Sequence, residues 1–238
     1  MEAMERVSTG IKELDGMVEG GYPRNRTMLL TGTTGSGKTI LGLHFVHQGC
    51  SNGRKCAIIA TEETQDDLAH QAESLGIPLS KYDKEGLLDI DRVYDERAEY
   101  MKDILAFNAA DIDDLQSNII GLLDRIPKGA ETVLIDNIGV FTLNMSPNEF
   151  RAQFDALIHG LAKKNVTALV VLDSASDERM GGIAAYSVYG VLRTSIKDNP
   201  YTGARERILE VLKIRNTKIP IDPIRFDITS KGIVILKK

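Results

Sequence analysis

The stretch Gly32-Thr33-Thr34-Gly35-Ser36-Gly37-Lys38-Thr39 constrains this chain more than any other segment. It fits the pattern G-x-x-x-x-G-K-[ST], in which glycines let the backbone wrap a phosphate, several N–H groups converge on it, and a helix N-terminus adds its positive dipole. That mechanism needs a strand running into the loop and a helix running out of it. Thr27 to Leu30 reads as the strand, and Thr39 to Gln48 as a helix that ends near Gly49 and the turn-rich Ser51-Asn52-Gly53. The expected ligand is ATP with magnesium. Thr33, Thr34, Gly35, Ser36 and Gly37 form the cradle, Lys38 neutralises the β- and γ-oxygens, and Thr39 holds Mg2+ through its hydroxyl.

Around this loop, short apolar runs alternate with longer amphipathic stretches, the signature of an α/β fold with a mostly parallel central sheet and helices on both faces. Further strands are expected at Cys56 to Ala60, Leu87 to Ile90, Val133 to Ile135 and Ala168 to Leu172. Helices are expected at Thr64 to Leu75 with Thr64 as N-cap, at Asp113 to Arg125, and at Asn148 to Lys164. Beyond these, Val188 to Leu192, Ile208 to Ile214, Arg225 to Ile228 and Ile233 to Leu236 follow so closely that crossover helices have little room, which predicts antiparallel C-terminal strands. One P-loop, no repeat and no linker predict a single domain over 1–238.

A carboxylate on the metal side is expected at the end of a second strand, and Thr132 to Asp136 delivers Asp136 there. Asp173, also at a strand end, is the less specific competitor. Glu62 and Glu63 follow the strand that lies in sequence between the P-loop and Asp136. Either could polarise the attacking water, since neighbouring acids raise one another's pKa; the plainer reading is two solvated acids in a first helical turn.

Composition narrows the functional classes. A net charge of −5 argues against a surface built to grip nucleic acid. The loop expected from Ser174 to Ala185 contains Asp177, Glu178 and Arg179 as its single cation, a poor match to DNA phosphates. Two cysteines, Cys50 and Cys56, are too few for a disulfide framework, although oxidation of this pair stays open. No leader pattern and no run of 18 apolar residues is present, so a cytoplasmic protein with no membrane insertion is expected. His44 and His47 have metal-sharing spacing without a third ligand, and the acids from Asp83 to Glu99 read as a solvated face.

The residues resemble the KaiC-like branch of the RecA-superfamily ATPases over nearly the whole chain. Ser8-Thr9-Gly10-Ile11, Leu14-Asp15 and Gly20-Gly21-Tyr22-Pro23-Arg24 are similar to the family's opening. Thr61-Glu62-Glu63-Thr64 resembles its paired-glutamate segment, and Ile135-Asp136-Asn137 its magnesium-side strand end. Ile208 to Arg215 resembles its late Lys-x-Arg strand, and Phe226-Asp227-Ile228-Thr229 with Gly232-Ile233 its close. The resemblance implies that Glu62 and Glu63 are catalytic acids. It also implies that Lys213 and Arg215, on one strand face by alternation, reach a neighbour's γ-phosphate in a homo-oligomeric ring, a hexamer by family pattern. It implies a regulatory or signalling switch with a protein partner that the sequence does not identify. A nucleotide-gated scaffold with autokinase activity, for which Ser187 is the candidate acceptor, and a RecA-paralogue DNA-repair ATPase are the alternatives.

Overall fold

The computed structural model describes residues 4–91, 93, 118–142, 145–173 and 178–236. A two-stranded ribbon pairs β1 (Arg6–Val7) with β2 (Tyr22–Pro23), and α1 (Lys12–Met17) lies between them. Asp15 organises this entry: its carboxylate accepts from Thr9 N at 2.8 Å and from the Ser8 hydroxyl. Gly10 is required because a Cβ there would sit 2.1 Å from the His44 carbonyl oxygen. The opening motif thus folds into a loop packed directly on the helix behind the P-loop.

The remaining strands form one nine-stranded sheet. They are β3 (Thr27–Gly32), β4 (Cys56–Ala60), β5 (Leu88–Asp91), β6 (Thr132–Asp136), β7 (Thr167–Asp173), β8 (Gly190–Asp198), β9 (Arg205–Ile214), β10 (Ile224–Thr229) and β11 (Gly232–Ile235). Their order is β11-β10-β9-β8-β3-β7-β6-β4-β5, parallel from β8 through β5 and antiparallel from β8 to β11. The runs in β4, β6 and β7 are continuously apolar because these central parallel strands are buried on both faces. Leu30, Ile58, Leu134 and Val171 enter one core, and their neighbours Leu29, Ile59, Val133 and Val170 enter the other.

The first core is covered by α2 (Lys38–Ser51), α3 (Gln65–Ser74) and α4 (Leu79–Lys84). Thr64 caps α3 as expected, accepting from Asp67 N at 3.1 Å. The second core is covered by α5 (Pro147–Lys163) and α6 (Glu178–Ser187). Ser146 caps α5, Pro147 occupies its first turn, and Phe150, Phe154, Leu157 and Leu161 form the buried stripe. Each of these side chains contributes about 1.5–3 kcal/mol by burial.

Two expectations are corrected. The segment read as a loop from Ser174 to Ala185 is helical from Glu178 onward, with Met180 and Ala184 buried one turn apart; residues 174–177 lie outside the described residues. Its Gly181-Gly182 pair lowers intrinsic helix propensity, and packing on α5 overrides it. That helix provides the crossover that close strand spacing had hidden. β8 therefore lies parallel to β3, and only β9, β10 and β11 are antiparallel additions. The expected helix from Asp113 to Arg125 begins outside the described residues; its described part holds a short 3-10 turn, Ile120–Leu123.

Candidate functional site

The C-terminal ends of β3, β7, β6 and β4 lie side by side, with Gly32 opposite Asp173 and Ala60 opposite Asp136. Open α/β sheets bind ligands at this edge. From β3 the chain passes through the P-loop into α2, whose N-cap Gly37 has φ 95°. A Cβ at Gly37 would also meet Ile228 Cδ1 of β10 at 3.1 Å, so glycine satisfies both the turn and the close approach. Ser36 is buried and its hydroxyl reaches Thr33 O at 2.6 Å and Thr194 Oγ1 at 2.7 Å. Its side chain anchors the loop to β8, as does Thr33 N, which donates to Thr194 O at 3.3 Å.

Lys38 Nζ donates to Gly32 O at 3.1 Å, to Thr33 O at 3.0 Å and to Asp173 Oδ2 at 2.9 Å. Thr34 Oγ1 reaches the same Asp173 oxygen at 3.5 Å. Sequence reasoning ranked Asp173 only as a competitor for the metal side; the fold sets it against the P-loop lysine.

The acids come from the next two strands. Thr61 N donates to Asp136 O at 2.9 Å, Thr61 Oγ1 to Asn137 O at 2.7 Å, and Asn137 N to Thr61 Oγ1 at 3.0 Å, which ties the ends of β4 and β6 together. The peptide between Asp136 and Asn137 is cis. Asn137 Nδ2 donates to Glu62 Oε2, so Glu62 is fixed from the neighbouring strand end. Glu63 is half-buried, and burial, followed by Asp67 and Glu62, pushes its carboxyl above the usual range. Burial pushes Asp136 up to about 6, with Thr39 and Lys38 opposing and both glutamates adding to the rise.

Asp136 Oδ2 is buried and has no hydrogen-bond partner. A buried, unpaired carboxylate oxygen beside the Thr39 hydroxyl is an oxygen-rich, anionic position of the kind a hard divalent cation takes, so these residues fit Mg2+.

Lys38, Thr39, Glu62, Glu63, Asp136 and Asp173 line one cleft of ≈ 400 Å³ with Thr34, Gly35 and Gly37. Ile40, Asn137, Gln71 of α3, Arg207 of β9 and Ile228 of β10 complete it. Arg207 was not singled out from sequence, where it is one cation in the alternation Arg205-Glu206-Arg207. In the fold it pairs with Asp227 at 3.3 Å while its Nε is buried without a hydrogen-bond partner.

Lys213 and Arg215 do not line this cleft. They share a face, as alternation predicts, and converge on one acceptor, the Tyr186 carbonyl at the end of α6, at 3.5 Å and 3.0 Å. Ser187 beside it donates to Asp155 Oδ1 at 2.5 Å. His44 and His47 have separate partners: His44 Nε2 accepts from Ile233 N at 2.9 Å, and His47 Nδ1 meets the Tyr82 hydroxyl at 2.8 Å. Among the described residues no helix is long and apolar enough to cross a membrane.

The profile of the family described as "ATPase: KaiC" matches residues 7–238. The chain belongs to the KaiC ATPase family. Among relatives, the circadian clock oscillator protein KaiC of Thermosynechococcus vestitus is 30% identical over 97% of this chain and 42% of its own length. The chain therefore spans about two-fifths of the clock proteins it matches. A UPF0273 protein of Pyrococcus furiosus is 28% identical over 98% of this chain and 94% of its own. The crystal structure of a KaiC-like protein from Pyrococcus horikoshii superposes with a TM-score of 0.75 at 25% identity, covering 99% of this chain and 100% of that one. KaiC-family membership supports a P-loop ATPase and agrees with the RecA-like sheet.

Proposed function

We propose that residues 1–238 form a single magnesium-dependent ATPase domain that works as a regulatory switch in a ring, a hexamer on the family pattern. The observation that carries this reading is the meeting of Lys38, Thr39, Asp136 and the Glu62-Glu63 pair in one cleft at adjacent strand ends. The P-loop N–H groups and the α2 dipole bind the triphosphate, and Lys38 balances its charge. Thr39 and Asp136 hold the magnesium, which neutralises charge on the phosphate oxygens. Glu62, held by Asn137, takes the proton from the attacking water, and Glu63 supports it by making the pair more basic.

Purified protein with Mg2+ and ATP tests this. Glu62→Gln is expected to lower turnover at least 100-fold while nucleotide binding survives. Wild-type turnover by the Glu62→Gln, Glu63→Gln double variant would reject the catalytic assignment.

The ring half of the reading rests on Lys213 and Arg215, which lie as a pair outside their own cleft. In a ring they complete the site of the adjacent copy. Lys213→Ala with Arg215→Ala and Glu62→Gln are each expected to be inactive alone. Their mixture should regain activity, because a sound cleft then faces a sound pair of cations; a mixture that stays inactive argues for sites contained in one subunit.

A further inference from the structure

Cys50 and Cys56 lie outside the nucleotide cleft, and the proposed reaction does not use them. The end of α2 brings them together. Gly53 N donates to Cys50 O at 2.9 Å and Arg54 N to Gly49 O at 3.1 Å, the helix-closing pair that turns a chain back on itself. β4 then starts alongside the helix it has just left. Cys56 Sγ lies 3.7 Å from Val46 O, and a Cβ on Gly49, the neighbour of Cys50, would come within 2.7 Å of that sulfur. Both cysteines also address one carbonyl: Leu87 O accepts Cys56 N at 2.8 Å and lies 3.8 Å from Cys50 Sγ. The Cys56 thiol holds Cys50 below the ordinary thiol value, while Cys50 and burial push Cys56 up. One sulfur of the pair is thus the better nucleophile.

We propose that Cys50 and Cys56 are a peroxide-responsive dithiol, a reversible modification site that closes to an intrachain disulfide joining the P-loop helix to β4. Each cysteine is only 2% exposed, so a small oxidant such as hydrogen peroxide can reach the pair where a bulky disulfide cannot. The Cys50 thiolate attacks one peroxide oxygen; the O–O bond breaks, the other oxygen leaves as hydroxide and is protonated to water, and the sulfur becomes a sulfenic acid. Cys56 sulfur attacks that sulfur; the S–O bond breaks, the Cys56 proton leaves with the oxygen as a second water, and the S–S bond forms. Two thiols and one peroxide give one disulfide and two waters. A dithiol reverses it by exchange.

The crosslink would fasten the end of the helix that starts at Lys38 to the strand that runs toward Glu62. The proposal is independent of the ATPase reading, since its readout is the state of the two sulfurs.

The test is peroxide treatment of the native protein, alkylation under denaturing conditions and tryptic mapping. Arg54 and Lys55 lie between the cysteines, so cleavage separates their peptides unless S–S holds them. The expected result is a linked pair that dithiothreitol releases, together with dimedone labelling of Cys50 in the Cys56→Ser variant. Exposed Met17 reports that peroxide has acted. Met17 sulfoxide with both cysteines alkylated overturns the proposal, and so does a disulfide found only between chains. Should Cys56→Ser fail to fold, the native map decides alone.

Discussion

Lys38 and Asp136 occupy opposite electrostatic situations in the same cleft. Lys38 has all its donors engaged, two on loop carbonyls and one on Asp173. The pair is largely shielded, with side chains 9% and 23% exposed, so solvent and salt screen it less than a surface contact. A phosphate arriving at Lys38 must displace that carboxylate or share the lysine with it. Asp173→Asn removes the competitor and a negative charge from an anion site. It is expected to tighten ATP binding by about 1 kcal/mol, or roughly fivefold, measured by titration calorimetry; weaker binding would instead make Asp173 part of the ligand shell.

α2 does more than present the P-loop. Its His44 accepts from the backbone of β11 through Nε2, an acceptor role open only to the neutral ring. Burial, with His47 adding, pushes His44 down to about 4 from its ordinary 6.5. A base with a lowered folded pKa stabilises the fold above its unfolded pKa and loses that contribution as pH falls through the interval. Stability should therefore drop between about pH 6.5 and 4, by at most about 3 kcal/mol from this group. Urea midpoints at several pH values will show the slope, and His44→Gln should flatten it.

On the other face, α5 is held by its apolar stripe, in which Phe150 and Phe154 stack with centroids 5.4 Å apart. Phe154→Ala is expected to cost about 3–5 kcal/mol, read as a lower urea midpoint.

At the scale of the molecule, β9 brings Arg207 to its own cleft, while Lys213 near its end and Arg215 just beyond it lie outside that cleft on the Tyr186 carbonyl. In the proposed ring this segment would serve two sites. Specific ATPase activity is then expected to rise with protein concentration and fall on dilution. Phosphate release measured over a hundredfold dilution series, with sizing in parallel, checks this; constant specific activity from a monomeric species would remove the ring from the account.

The sequence by itself determined the parts whose chemistry is local. The P-loop needs its glycines, its lysine and its threonine in one stretch, and β4, β6 and β7 announce themselves because strands buried on both faces must be apolar throughout. Asp136, Glu62 and Glu63 were legible as carboxylates at strand ends for the same reason. Tertiary structure decided what depends on strand order. Residues 135 positions apart meet in the Lys38–Asp173 pair, and Arg207 enters the cleft only because β9 and β10 fold back beside the P-loop. α6 was hidden by its two glycines, since packing against α5 supplied what propensity lacked, and with it went the parallel placement of β8. Spacing along the chain encodes which residues share a face; contact between distant strands depends on the sheet that local patterns do not specify.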